Sequence, residues 1–245
     1  LICLNMFSVM SLNMDTDMSM NMDTDMSMDS SLNIFLMPMT GNWTMNDFIV
    51  MFLMWSIMMF AMMMPSTFVF LKIFGMMRSN MKSVKYPLLE LYLISFTYIL
   101  IWTIFSIFAT LLQYYLHNSG MIDMMGMLKH EMVAGITLIF AGAFQFSSLK
   151  NACLEKCRNP LSFIVGKNIN NLGDVAKLGL AHGIFCLGCC WALMLLLFIN
   201  GVMNLLWIVA ITIAVLAEKI LPFEKLTSRF FGAVLVVWGA YLIVI

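Results

Sequence analysis

Long runs of apolar residues, broken by short charged stretches, dominate the chain from residue 48 onward. Phe48 to Phe74 is nearly uncharged, and further runs occupy Leu88 to Leu116, Met132 to Leu149, Leu178 to Ile199, Val202 to Ala217 and Phe230 to Ile245. About 20 helical residues cross roughly 30 Å of hydrocarbon, so these runs predict an all-α, polytopic transmembrane bundle of about five or six spans. Asn200 and Gly201 join the fourth and fifth as a tight helical hairpin whose second arm is short for a full span.

Upstream the pattern changes. Leu1 to Leu12 is an apolar stretch too short to span a bilayer and is expected to be the stump of a helix or signal. Residues 13 to 47 are polar and Met-dense, with a near-perfect duplication, MDTDMSMN at Met14 to Asn21 and MDTDMSMD at Met22 to Asp29. The expected organisation is therefore residues 1–47 as a partial apolar stretch plus a Met/Asp-rich segment, disordered when unliganded, and residues 48–245 as a helical membrane domain.

Composition supports this reading. Of 245 residues 62% are hydrophobic and 11% charged, with a mean hydropathy of +0.94, where soluble domains carry roughly 45–50% apolar and 25% charged residues. Thirteen basic residues balance thirteen acidic ones, and no basic patch interleaves with aromatics, which argues against nucleic acid as a partner.

The excess of Lys and Arg stays in the cytoplasm. One set of loops holds Lys72, Arg78, Lys82 and Lys85, then Lys150, Lys156, Arg158, Lys167 and Lys177, then Lys219, Lys225 and Arg229, against Lys129 alone on the other side. The expected location is the cytoplasmic membrane, with the Met-rich segment, His117 and His130 extracytoplasmic. The loop carrying Cys153 and Cys157 falls on the cytoplasmic side.

Three groups of residues carry candidate chemistry. A thioether is a soft, uncharged ligand that suits Cu(I) and rejects hard ions. Met14, Met18, Met22 and Met26, with Met20 and Met28, would make the N-terminal segment a collecting arm, and Asp15, Asp17, Asp23, Asp25 and Asp29 would draw cations to it. The alternative is a low-complexity linker. Met51, Met54, Met58 and Met62 form a stripe at helical spacing, flanked by Met59, Met63 and Met64 ahead of Pro65, which reads as adaptable packing or as a ladder for Cu(I).

The third group is thiol-rich. Cys153 and Cys157 are four apart, His182, Cys186 and Cys190 are spaced four and four, and Cys189 adjoins the last. Helical geometry stacks each set on one face. If the third span continues through ACLEKC, both sets lie near the cytoplasmic ends of their spans and converge on one ion, Cu(I) or Zn(II). Buried small cysteines without chemistry, or a Cys186 and Cys189 dithiol redox pair, are the competing readings. His117 and His130 read as solvated loop residues, and Glu218 beside Lys219 as an interfacial ion pair.

WSIMMFAMMMPS at Trp55 to Ser66, GAFQFSSLKNACLEKCRNPLSF at Gly142 to Phe163 and HGIFCLGCCWALMLLLFINGVMNLLW at His182 to Trp207 resemble a family of predicted metal-binding integral membrane proteins, sometimes labelled copper chaperones. The resemblance runs from about Trp43 to the C-terminus. It implies a helical membrane fold, a Met-rich extracytoplasmic segment and a metal site at Cys153, Cys157, His182, Cys186, Cys189 and Cys190. Where many members carry His before the second loop cysteine this chain has Lys156, and where they often have Thr-Pro it has Ser147 and Ser148.

The leading expectation is thus a non-enzymatic, copper-handling protein that acquires, transfers or delivers Cu(I), with the bilayer, the ion and a metallochaperone or membrane complex as partners. A membrane dithiol oxidoreductase and a non-catalytic accessory subunit are the alternatives. No phosphate loop, serine nucleophile elbow or zinc-protease helix is present in the sequence.

Overall fold

The computed structural model describes residues 43–79, 87–123, 126–165, 169, 171–221 and 224–244. These lie in one compact unit, Met37–Ile245. The N-terminal methionines Met14, Met18, Met22 and Met26 fall outside the described residues.

The elements are α1 (Met45–Ser79), α2 (Pro87–Asn118), α3 (Glu131–Gln145), α4 (Ser148–Arg158), α5 (Pro160–Val165), α6 (Leu172–Leu195), a short 3-10 turn (Leu196–Phe198), α7 (Leu205–Ile220) and α8 (Glu224–Val244). The bundle is all-α. Among the described residues four helices, α1, α2, α6 with its 3-10 turn, and α8, are long and apolar enough to cross a membrane, or five if α3 and α4 count as one bent span. At 16 residues, α7 is only about 24 Å long, as its sequence foretold.

Outward faces are apolar, with Ile57, Phe96, Phe108 and Val237 all more than 60% exposed. Inward faces hold the methionines and cysteines. The usual soluble arrangement, polar residues outside, is absent along these faces.

Close backbone contact fixes the packing. Gly135 and Gly142 of α3 face Gly239 and Gly232 of α8 in antiparallel register. A Cβ at Gly239 would sit 2.7 Å from the Gly135 carbonyl oxygen, and one at Gly142 would sit 2.9 Å from that of Gly232. Small residues let helices approach closely where lipid offers no hydrophobic drive to associate. Gly179 and Gly183 of α6 likewise seat against Ile94 and Ile101 of α2, in parallel register.

Polar ties fix the ends. Arg78 and Glu90 form a bidentate pair, Nε to Oε2 at 2.7 Å and Nη2 to Oε1 at 2.6 Å, where α1 turns into α2. Deeper in the same pair of helices, Trp55 Nε1 donates to Gln113 Oε1 at 2.6 Å. An Asn171–Asp174 capping box starts α6. The Asn204 side chain accepts from Trp207 N to start α7, after a turn in which Gly201 takes φ +90°.

Three sequence expectations are corrected. The helix of the third span does not run unbroken through ACLEKC: α3 stops at Gln145, Ser147 adopts extended backbone and caps α4 through its Oγ, and α4 leaves at 63°. Cys153 and Cys157 therefore sit on a separate helix folded against α6, not in a loop. Lys150 and Lys219 are not loop charges either, because Lys150 is fully buried and Lys219 is half-buried and turned inward. Nor does Glu218 pair with Lys219. It receives the Lys150 ammonium at 2.7 and 2.8 Å, across 68 residues of sequence.

Candidate metal centre

The site is assembled from α1, α4, α6 and α7, and its centre is Cys186. Because α6 begins at Leu172, Cys186 falls mid-helix, so the cluster is deeper than the cytoplasmic helix end expected from hydropathy. Cys186, Cys189 and Cys190 are all buried. Their spacing of three and four places the three on one face. Cys189 Sγ and Cys190 Sγ both donate to the Cys186 carbonyl, at 3.0 and 2.9 Å.

The second cysteine pair arrives on α4. The Cys157 thiol comes close enough to those of Cys186 and Cys189 for the three to interact, and Cys190 joins the same set. Cys153 packs on the backbone of α6 where Gly188 leaves room, since a Cβ at Gly188 would sit 3.0 Å from Cys153 Sγ. Folding α4 back on α6 is thus what brings the two cysteine sets together. All five described cysteines are free thiols.

His182, one turn before Cys186, is buried and lies between aromatic rings. Its ring stacks on Phe70 at 3.9 Å and on Tyr98 at 5.5 Å, and Nε2 has no hydrogen-bond partner. An orphaned buried nitrogen of this kind is costly, and it is a donor atom available to a soft cation. Tyr98 connects the stack to the thiols, its hydroxyl lying 3.2 Å from Cys186 Sγ.

The Met stripe of α1 faces the protein interior. Met51, Met58, Met59, Met62 and Met63 are buried, whereas Met64 is 52% exposed. Met58, Met59, Met62 and Met63 share one apolar core with Cys153, Cys186, Cys189 and Cys190. At the other end of the stripe, Gln113 Nε2 donates to Met51 Sδ at 3.8 Å.

One residue here was expected elsewhere, in an interfacial pair with Glu218. Lys219 of α7 reaches into the site, its Nζ lying 3.1 Å from Cys186 Sγ, 3.2 Å from Ser66 Oγ and 3.6 Å from Met63 Sδ. Met63, not Met58 or Met62, is the stripe residue that meets this ammonium. A lysine next to a glutamate at a helix end reads as an exposed pair, and only the remote partner Lys150 frees Lys219 for the thiols.

Among the described residues no group of three or more His, Cys, Asp or Glu is already arranged to hold a metal ion. The geometry gives the reason: Cys189 and Cys190 are turned to a backbone carbonyl and Cys186 is engaged by Lys219. The donors are nonetheless chemically uniform, thiols and a thioether around one small volume, the set that suits a soft cation.

Comparison with known families matches residues 52–242 to the model of the copper chaperone family PpoB2. The chain belongs to that family. The match takes in all five cysteines of α4 and α6 discussed above and the whole Met stripe from Met54 onward. No curated protein and no solved structure matches the chain.

Outside this centre, His117 is held in the last turn of α2, accepting at Nδ1 from Nε1 of Trp43 at 3.0 Å, and the Trp43 ring in turn packs on Phe48 and Tyr114. This replaces the solvated loop histidine expected from sequence. His130 is exposed at the start of α3. In this copper chaperone family member Lys156 stands 5.4 Å from the Phe185 ring, a cation–π contact.

Proposed function

We propose that this copper chaperone family member is a polytopic protein of the cytoplasmic membrane that binds Cu(I) at its buried sulfur cluster and passes it on, without catalysing a reaction. The observation that carries the reading is the convergence of the Cys157 thiol from α4 on those of Cys186 and Cys189 from α6, with Met63 of α1 nearby. Filling the cluster would involve rotation of Cys189 or Cys190 away from the Cys186 carbonyl. His182 Nε2 is the nitrogen donor on the same helix face.

In this account the Met/Asp-rich N-terminal segment, with Met14, Met18, Met22 and Met26, collects the ion on the extracytoplasmic side. The inward Met face of α1, including Met58 and Met62, leads it to the thiols, and a metallochaperone or membrane complex takes it from there. Apolar outward faces on α1, α2 and α8 support the bilayer as the surrounding medium. With Lys150 and Lys219 set aside, the other basic residues of the sequence still fall mostly in the terminal turns of helices and the connections on one side of the alternating spans, which supports the proposed orientation.

Competition titration of the purified full chain with a chromophoric Cu(I) chelator tests this. Wild type is expected to hold one tight equivalent that is lost when Cys186, Cys189 and Cys190 are all replaced by Ser, while weaker thioether binding persists. Equal tight binding by both proteins, or tight Zn(II) binding with no Cu(I) binding, would overturn the reading.

A further inference from the structure

The Lys219 ammonium occupies a site built for a cation. Its contacts are a cysteine sulfur, a thioether and a hydroxyl, at 3.1, 3.6 and 3.2 Å. Glu218 does not compete for it, because that carboxylate takes both hydrogen bonds from Lys150. A lysine normally turns its head to water or a carboxylate. Here it points instead between two sulfurs and a hydroxyl, with the Cys186 sulfur its nearest contact.

Lys219 also has a way out. Its residue is half-buried while Cys186 is closed off, and the next residue, Ile220, is 73% exposed at the end of α7. The four-carbon stem is flexible enough to turn the ammonium from the thiols to that open end without moving the helix.

We propose that Lys219 is a placeholder cation, its ammonium holding the position between Met63 and Cys186 that Cu(I) takes over. The inference rests on the copper reading above and adds to it a named competitor and an exchange step. The exchange is proposed for Cys186 with its sulfur deprotonated, so that no thiol proton has to leave. Bonds form from copper to Cys186 Sγ and Met63 Sδ, the ammonium contacts to both break, and Lys219 leaves with its three protons. One monovalent cation replaces another, so the pocket's charge is conserved, and burying an uncompensated charge there is avoided. A divalent ion would leave an extra positive charge in the same enclosed volume. The placeholder thus fits the pocket to soft monovalent ions and keeps the thiolate neutralised between arrivals.

The test compares wild type with Lys219→Leu, which removes the cation without adding a ligand, and Lys219→Arg in the same chelator competition, at one pH. Removing the competitor is expected to tighten Cu(I) binding about tenfold or more, equivalent to about 1.4 kcal/mol, whereas Lys219→Arg, which keeps a cation in place, does not tighten it. A second measurement needs no variant: acylation of Lys219 by an amine reagent, mapped by mass spectrometry, is expected to rise when Ag(I) is added to wild type. Unchanged or weaker Cu(I) binding in Lys219→Leu, or Lys219 labelling that Ag(I) does not alter, overturns the placeholder while leaving copper binding intact. Absence of tight Cu(I) binding in wild type removes both proposals.

Discussion

Lys150 and Glu218 form an ion pair at 2.7 Å whose side chains are 1% and 3% exposed, joining the first turn of α4 to the last turn of α7. The pair does two things for the centre. It anchors the helix that carries Cys153 and Cys157, and it occupies Glu218 so that Lys219 is left to the thiols. Breaking a buried pair by removing one partner strands the other charge, which typically costs about 3–5 kcal/mol. Lys150→Met alone is expected to lower the thermal midpoint in detergent strongly, and Lys150→Met with Glu218→Leu to recover most of the loss. A single variant as stable as wild type would show that the pair is not closed to water.

The α3–α8 contact yields a second expectation. Any side chain at Gly239 meets the Gly135 carbonyl at 2.7 Å and Leu138 Cβ at 2.9 Å, and backbone cannot give way as a flexible side chain can. Gly239→Val is expected to destabilise by about 1–3 kcal/mol or more through overpacking. Gly173, near the start of α6 with nothing within 4 Å of its Cβ position, is the control. Gly173→Ala is expected to be neutral or stabilising by about 0.4–1 kcal/mol. Thermal unfolding of the two variants side by side decides this, and equal midpoints would contradict the close approach.

Neighbouring methionines separate ligand from packing. Met63 is buried against Lys219 and Met64 next to it is exposed. Leu matches Met closely in volume, so Met63→Leu keeps the packing and deletes the sulfur. Cu(I) affinity is expected to fall several-fold in Met63→Leu and to stay at the wild-type value in Met64→Leu. The same loss in both, or in neither, would remove the thioether from the centre.

Much of this architecture was legible in the residue order. Apolar runs located α1, α2, α6, α7 and α8 to within a few residues, and the spacing of Cys186, Cys189 and Cys190 put them on one helix face as found. The break after Gln145 was not legible, because Phe146 and Ser147 contain neither Gly nor Pro and the apolar run continues through Leu149. What ends α3 is the capping of a new helix by Ser147, stabilised by packing of α4 on α6. Lys150 and Lys219 were misplaced for a related reason. A lysine counted in sequence is a loop charge until a partner 68 residues away, or a thiol on another helix, gives it a buried position. Whether the Met stripe met lipid or protein also depended on the neighbours of α1, which periodicity alone does not reveal.

The cap at Ser147 makes this explanation testable. Its Oγ accepts from Leu149 N at 3.2 Å, and loss of such a cap costs about 0.5–2 kcal/mol. Ser147→Ala is expected to loosen α4, raising the reactivity of Cys157 toward a thiol reagent with less effect on Cys190 in the core of α6. Equal increases at both cysteines would indicate general unfolding instead.

X-ray absorption at the copper edge reads the central claim most directly. Protein loaded with one equivalent of Cu(I) is expected to show a sulfur-dominated shell that changes when Cys186, Cys189 and Cys190 are replaced together by Ser. A shell of nitrogen and oxygen alone, or a spectrum indifferent to those three substitutions, would contradict the sulfur cluster as the place where the ion is held.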